Sequence, residues 1–304
     1  MTSRPASDAP GAPAAARPPL VAWLYVPGDR PDRFAKAMAG GADAVILDLE
    51  DAVLAPAKDA ARRNVAGFLA GLDPADAARR PRVHVRINPP RGEHGARDLD
   101  ALGALGAAAA PDAVRVPKVE GPADVDPVAE RLPAGTEVHC LLESALGVHN
   151  AAAIAAHPAV RALALGEADL AAQMRLRGDA AYTWLRAQVV LACAATGLPA
   201  PAMAAYTDVA DTEGLYASCR AGRDLGMFGR TAIHPRQVEV IRRAFTPDAE
   251  EVARAREVAA AAERGAADGT GAIALPDGRF IDAPIVESAL RTIALAEHLG
   301  ARPH

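Results

Sequence analysis

Three cysteines among 304 residues, none in a Cys-x-x-Cys pair, make neither a disulfide framework nor a structural zinc set, and they fit a reducing compartment. Aromatic side chains are only 4% of the chain, which leaves few platforms on which single-stranded nucleic acid could stack. No apolar run approaches the length of about 18 residues that a membrane span needs. Residues 1–19 contain no apolar stretch of the secretory kind. Excess charge of either sign is missing as well. With 33 basic and 38 acidic residues the net charge is -5, which excludes a polybasic nucleic-acid protein and a disordered polyanion. The expectation is a cytoplasmic protein that binds neither nucleic acid nor membrane. Two catalytic signatures are also missing. Gly28 stands alone after the first apolar run, so there is no G-x-G-x-x-G turn for a dinucleotide. Leu142-Glu143-Ser144-Ala145 is not a nucleophile elbow, so serine hydrolysis is disfavoured.

What is present is a rhythm. The tail over residues 1–19, rich in Ala, Pro and Ser, is expected to be disordered because it buries too little apolar surface to offset its ordering entropy. From Val21 onward, short apolar runs alternate with segments of helical period. The runs are Ala22–Val26, Ala44–Leu49, Arg82–Ile87, Ala113–Pro117, Glu137–Leu142, Val160–Leu165, Pro201–Met203 and Gly229–Ile233. Helices are expected at Arg33–Ala39, Lys58–Leu69, Pro122–Arg131, Ser144–Ala156, Thr183–Thr196, Glu213–Leu225, Gln237–Phe245, Asp248–Ala262 and Pro284–Leu299, two of them closed by Gly197 and Gly226. Strands alternating with helices predict parallel βα units. Eight units over residues 20–246 predict an α/β fold, a (β/α)8 TIM barrel. Residues 247–304 are surplus to a barrel. Their Asp277-Gly278 turn signal predicts a hairpin and then a helix, forming a lid or arm.

In such barrels the chemistry sits at the C-terminal ends of the strands. Here those ends read Pro27-Gly-Asp-Arg30, Asp48-Leu-Glu-Asp51, Arg86-Ile-Asn88, Pro117-Lys-Val-Glu120, Leu142-Glu-Ser144, Gly166-Glu-Ala-Asp169 and Ile233-His-Pro235. Glu143 and Asp169 follow successive strands. As a carboxylate pair completed by water and substrate oxygens they suit a hard octahedral cation such as Mg2+; as helix N-terminal acids they would only face helix dipoles. Arg86 is placed to bind a carboxylate bidentately or to ion-pair with Asp48, Glu50 and Asp51, and the two roles are compatible. Crowding three carboxylates into four positions calls for a nearby cation. His234 is read as structural, and Cys140, Cys193 and Cys219 as small apolar groups.

The blocks Leu24-Tyr-Val-Pro-Gly-Asp-Arg-Pro-Asp-Arg-Phe34, Gly41-Ala-Asp-Ala-Val-Ile-Leu-Asp-Leu-Glu-Asp-Ala-Val53, Val85-Arg-Ile-Asn88, Val116-Pro-Lys-Val-Glu120, Leu142-Glu-Ser-Ala-Leu-Gly147, Leu165-Gly-Glu-Ala-Asp-Leu170, Ile233-His-Pro-Arg-Gln237 and Asp277-Gly-Arg-Phe-Ile-Asp-Ala-Pro284 resemble the citrate lyase beta-subunit-like acyl-CoA lyases of the HpcH/HpaI aldolase family. That family includes malyl-CoA and citramalyl-CoA lyases. The resemblance runs from about Trp23 to His298. It implies a (β/α)8 barrel, with Mg2+ (or Mn2+ in its place) on Glu143 and Asp169. It also implies Arg86 as the acid-binding arginine, with Glu143 beside it at the substrate, and Glu50 in the acidic cluster behind the metal waters. Asp282 matches a lid aspartate that reaches a neighbouring subunit's site and transfers a proton. The lid implies a homo-oligomer, a trimer or a hexamer of trimers. Arg30, Arg33 and Lys36 on the first loop and helix are candidates for the phosphates of coenzyme A, which arrives as part of the substrate. The sequence departs from many relatives at Arg230, where they carry Lys near this point, and at Ala232, where they carry Cys.

The activity expected from the resemblance is Mg2+-dependent cleavage of a carboxylated 3-hydroxyacyl-CoA of the citryl, malyl or citramalyl type to acetyl-CoA and a 2-oxo acid. The alternatives are malyl-CoA thioesterase or malate-synthase-like activity, a CoA-free 2-keto acid aldolase, and a non-catalytic interaction protein.

Overall fold

The computed structural model describes residues 19–267, 273–274 and 280–300. The expected disordered tail therefore lies, but for Pro19, outside the described residues, as does the Asp277-Gly278 turn.

A seven-stranded parallel sheet organises the chain. Its strands are β1 (Ala22–Pro27), β2 (Ala44–Asp48), β3 (Arg82–Arg86), β4 (Ala113–Val116), β5 (Glu137–Leu142), β6 (Val160–Leu165) and β7 (Arg230–Ala232). They lie in the order β6-β5-β4-β3-β2-β1-β7. The helices are α1 (Phe34–Met38), α2 (Lys58–Ala70), α3 (Glu93–Gly103), α4 (Asp126–Arg131), α5 (Ala145–His149), α6 (Ala151–Ala155), α7 (Glu167–Met174), α8 (Thr183–Thr196), α9 (Thr212–Asp224), α10 (Arg236–Phe245), α11 (Ala249–Ala267) and α12 (Ala283–Gly300). All five residues of β2 are buried, as expected of an apolar parallel strand covered on both faces. Thr183–Thr196 forms α8 over its full expected length and stops at Gly197, whose φ of +74° is open to glycine without steric cost.

Three expectations need correction. Pro201–Met203 forms no strand of its own. Ala202 and Met203 make single-pair parallel bridges, Ala164↔Ala202 and Met203↔Arg230, which link the edge strands β6 and β7. Pro199 and Pro201 lack the N–H groups that a longer ladder needs. The last strand of the parallel sheet is Arg230–Ala232, shorter than Gly229–Ile233. Two helices, α3 and α7, were not expected. The apolar face of α3 is thin, burying Gly95, Asp98, Leu99 and Leu102, so its period is hidden by a buried acid.

Alternation divides the sheet into two faces. Leu24, Val45, Leu47, Val83, Val85 and Val114 pack outward with the helices in the main core. Trp23, Ala44, Ile46 and Ala202 form a separate inner cluster. Beyond the sheet, Ala255, Val258 and Ala261 of α11 pack with Ala289 of α12 and with Ile281, which precedes α12. The short strands β8 (Ile273–Ala274) and β9 (Phe280–Ile281) pair antiparallel, as a hairpin requires. Glu251 of α11 ties this segment to α9 through Arg220 at 3.3 Å and Arg223 at 3.1 Å.

The strand ends that carry the polar clusters are braced by a buried acid. Asp98, fully buried, accepts hydrogen bonds from Arg62 Nε (2.8 Å), Asn88 N (2.8 Å) and Asn88 Nδ2 (2.7 Å). Asn88 Nδ2 also donates to the Leu49 carbonyl at 2.8 Å, clamping the ends of β2 and β3 together. Asp98→Ala leaves a buried guanidinium short of its partner and a backbone N–H unpaired, so a loss of about 3–5 kcal/mol is expected. Urea unfolding should show it as a lower midpoint at unchanged m-value. A loss below about 1 kcal/mol, the net worth of one ordinary hydrogen bond, would mean that the clamp does not hold the strand ends.

Candidate active site

The C-terminal strand ends surround a cavity of about 540 Å3. Tyr25, Asp48, Arg86, Arg115, Glu143, Asp169, Arg186 and Arg230 are among its walls. Five of the expected polar clusters contribute to it: the ends of β2, β3, β5, β6 and β7, from Asp48 to Ile233. A further hollow of about 480 Å3, lined by Lys118, Glu120, Ser144 and Gln173, meets the first at Glu143 and Asp169.

Arg86 is the hub of the acidic group. Its Nε and Nη2 donate to the two oxygens of Asp48 at 2.7 and 2.6 Å. Nη1 lies 2.8 Å from Glu50 Oε2 and 3.6 Å from Asp51, and the guanidinium sits over the Tyr25 ring at 4.9 Å. The ion-pair reading of Arg86 is therefore realised, and a ligand carboxylate would meet the Nη end rather than the edge taken by Asp48. Glu50 is buried and its oxygens have no well-formed hydrogen bond. Its other neighbour within reach is Lys118 Nζ at 3.4 Å.

Glu143 is buried at the end of β5 and accepts a hydrogen bond from the Lys118 backbone N–H at 3.1 Å. That N–H is aimed by a left-handed backbone at Lys118, φ +55°, a conformation costing a non-glycine residue about 1–2 kcal/mol. Gly166 makes room opposite: a Cβ there would lie 2.4 Å from Glu143 Cγ. Asp169 sits in the exposed first turn of α7. Burial, reinforced by the charges of Glu50 and Asp169, pushes the Glu143 carboxyl up to about 8. Burial, against the pull of Arg86 and with repulsion from Asp51, pushes Glu50 up to about 7.

Two raised carboxyls, Glu143 and Glu50, the second without a well-formed hydrogen bond despite Arg86, fit a further positive charge at this site. Among the described residues no three His, Cys, Asp or Glu side chains converge to cage a metal. A divalent cation here would be held by Glu143 and Asp169 and would complete its shell with water or ligand oxygens, which is the habit of Mg2+.

The raised carboxyls carry a pH signature. Their folded pKa values exceed the ordinary one, so their contribution to stability is complete below about pH 4.5 and is lost as pH rises through 7 and 8. The melting temperature of the metal-stripped protein should fall between about pH 5.5 and 8.5, and millimolar Mg2+ should flatten the fall. A profile that stays level without metal, or is the same in Glu143→Gln, would count against this charge arrangement.

Other expected site residues lie apart. Arg30 is exposed and paired with Asp32 at 2.8 Å, and neither it nor Arg33 nor Lys36 lines the cavity. Asp282 accepts a hydrogen bond from the Ile285 N–H at 3.2 Å, capping α12, and does not line this chain's cavity. His234 likewise accepts from the Arg236 N–H at 3.2 Å through Nδ1, a structural use. Three further arginines stand in the cavity wall, beyond the expected site residues. Arg186, almost fully buried, binds Glu167 (2.7 and 3.0 Å) and Asp179 (2.9 and 3.1 Å). Arg230 donates to the Ala204 carbonyl (2.8 Å) and Ser218 Oγ (3.0 Å). Arg115 is buried at the middle of β4. A lone arginine inside an apolar stretch, as in Thr183–Thr196 or Ala113–Val116, was the signal available for two of them.

Residues 22–235 match the HpcH/HpaI aldolase/citrate lyase family. The (3S)-malyl-CoA thioesterase of Cereibacter sphaeroides is 36% identical over 286 residues, covering 93% of this chain and 96% of that protein. The L-malyl-CoA/beta-methylmalyl-CoA lyase of the same organism is 33% identical over 309 residues, covering 91% and 95%. Among solved structures, the CitE protein of Mycobacterium tuberculosis in complex with magnesium, acetoacetate and coenzyme A superposes with a TM-score of 0.77 at 36% identity, covering 91% of this chain and 97% of that one.

Proposed function

The chain belongs to the HpcH/HpaI aldolase/citrate lyase family, whose relatives process CoA esters, and we propose that it is a Mg2+-dependent carbon–carbon lyase of a carboxylated 3-hydroxyacyl-CoA, yielding acetyl-CoA and a 2-oxo acid. The observation that carries this reading is the meeting of the Glu143–Asp169 pair, Arg86 and two adjoining cavities at one set of strand ends. Two hollows that join at a carboxylate pair suit a substrate whose acid and thioester halves diverge from the reacting carbon. Solved relatives hold magnesium with acetoacetate and coenzyme A, or with pyruvate, ligands of the corresponding chemical classes.

Magnesium on Glu143 and Asp169 would supply Lewis acidity toward the substrate hydroxyl and carboxylate. The chain's own groups do the rest. Arg86 orients the carboxylate, with Asp48 fixing the guanidinium plane. The carboxylates around it are the acceptors at hand for the hydroxyl proton. The bond between the hydroxylated carbon and the carbon next to the thioester carbonyl then breaks, leaving a 2-oxo acid and a thioester enolate. Asp282, carried over a neighbouring subunit's cavity, protonates the enolate carbon to give acetyl-CoA. In this reading the bridges at Ala202 and Met203 close the sheet as the eighth barrel element. Residues 247–304 form the lid of a homo-oligomer, and Arg30, Arg33 and Lys36 receive the CoA phosphates.

A second reading, hydrolysis of the same thioester, is favoured by the thioesterase relative. One experiment separates the two. The protein is incubated with Mg2+ and malyl-CoA, citramalyl-CoA or citryl-CoA, and acetyl-CoA, free CoA, oxo acid and hydroxy acid are all quantified. Acetyl-CoA and oxo acid in equal amounts support the lyase. Free CoA with intact hydroxy acid from the outset overturns it in favour of the thioesterase.

A further inference from the structure

The sheet interior continues below the active cavity as a second, chemically different space. A cavity of about 360 Å3 opens at the N-terminal ends of the strands, and its polar walls are Arg82, Arg115, Glu137, His139 and Arg161. Apolar groups, among them Leu20, Trp23, Leu163 and Phe228, form the remainder. Barrel interiors are ordinarily filled with branched aliphatic side chains; here Ala162, Ala164, Ala200 and Ala202 leave the space open.

Its charges do not balance. Glu137 is shared by Arg82 at 2.9 Å and His139 at 3.0 Å. Burial keeps His139, and the neighbouring His84 at 5.0 Å between ring centres, below the ordinary imidazole value, so neither adds charge at neutral pH. Arg115 and Arg161 remain. Among the described residues no carboxylate lies within ion-pair distance of either. Arg161 is exposed and donates only to the carbonyls of Pro158 and Val160. Arg115 is 2% exposed; its guanidinium is hydrogen-bonded with the Tyr25 side chain on the active-cavity side, while its Nε has no partner and its Cζ lies 5.6 Å from the Trp23 ring centre. Trp23 Nε1 and both ring nitrogens of His84 are unpartnered too. A buried guanidinium without a counter-ion carries a desolvation cost of several kcal/mol, and a planar fork is matched best by a carboxylate.

We propose that this lower cavity is a second ligand site, distinct from the active cavity, that takes a small carboxylate with an apolar body: the carboxylate on Arg115 and Arg161, the body against Trp23, Leu163 and Phe228. Inorganic phosphate fits less well, because its outer oxygens would face the apolar wall unpaired. Arg115 and Ala164 line both cavities, so a ligand below sits one side chain away from the active cavity.

Trp23 and Trp184 are the only tryptophans, and Trp184 is 63% exposed on α8, so Trp184→Phe leaves Trp23 as the sole reporter inside the cavity. In that background, titration with hexanoate or cyclohexanecarboxylate should give a saturable change in Trp23 emission, and phosphate should not. Arg161→Leu, at the solvent-facing rim where folding is not at stake, should weaken binding about tenfold, the worth of one charge-assisted contact. Ala200→Phe, at the exposed rim of the lower cavity alone, should obstruct its mouth and abolish binding. Ala205→Phe, which narrows only the active cavity, should leave it within twofold. No saturable change with either carboxylate would overturn the proposal and leave ordered water as the occupant. Loss of binding in Ala205→Phe with retention in Ala200→Phe would overturn it equally, by moving the ligand to the active cavity.

Discussion

Glu143→Gln should lose Mg2+-dependent turnover by about three orders of magnitude or more. A Lewis-acid cation contributes several kcal/mol to the transition state, and each 1.36 kcal/mol is about tenfold in rate. The substitution keeps the side-chain volume and removes a single charge, and it acts on two further observables. The magnesium-induced rise in melting temperature should disappear with the ligand. The metal-free variant should be more stable than the parent near pH 8, because the parent must hold a buried carboxylate pushed up to about 8 in a cluster with Glu50 and Asp169. Asp169→Asn should lose turnover and the magnesium response alike, with a smaller gain in metal-free stability, since Asp169 is exposed and its charge is already screened by water. Near-normal rates in either variant would remove that residue from the metal site. A variant that is inactive yet still stabilised by magnesium would place the ion elsewhere.

How much of this was legible beforehand follows from which signals are local. Most of the six longer strands declare themselves through an apolar run, because a parallel strand covered on both faces buries most of its side chains, as residues 44–47 do before the run ends at Asp48. The apolar run at Ala202 and Met203 resembles a strand in sequence, but prolines on either side of Ala200 limit it to two bridges. The polar cluster at each strand end was legible because barrels put chemistry there. The partners within the clusters were not. That Arg86 would take Asp48 edge-on, or that Lys118 would adopt a left-handed backbone to reach Glu143, depends on tertiary placement that periodicity does not encode. Arg115 and Arg186 escaped for the opposite reason: an arginine in an apolar strand or helix reads as a solvent-facing interruption until the fold turns it inward. Asp98 hid a helix by occupying a core position that an aliphatic residue would normally mark.

Arg86 provides the sharpest separation of stability from catalysis. Its side chain is 13% exposed, and those of Asp48 and Glu50 are 1% and 4% exposed, so this is a buried ion cluster. Removing one partner from such a cluster strands the others without compensation. Arg86→Leu should therefore lose about 3–5 kcal/mol of folding stability near pH 8. The loss should shrink as pH falls toward 5, because a protonated carboxyl needs no guanidinium, and Glu50, pushed up to about 7, gains its proton within that range. Urea unfolding at the two pH values reads this directly. A deficit of equal size at both would assign Arg86 to packing against Tyr25 rather than to charge. Arg86→Lys then isolates the fork. An ammonium can neutralise the acids, so most of the stability should return, but it cannot hold Asp48 along one edge and present a planar end to a ligand carboxylate. Turnover of the preferred hydroxyacyl-CoA should still fall about a hundredfold in kcat/KM, the cost of misplacing a substrate by roughly an ångström. Recovery of both stability and rate in the lysine variant would mean that positive charge alone suffices, and that another arginine of the cavity wall, Arg186 or Arg230, orients the acid.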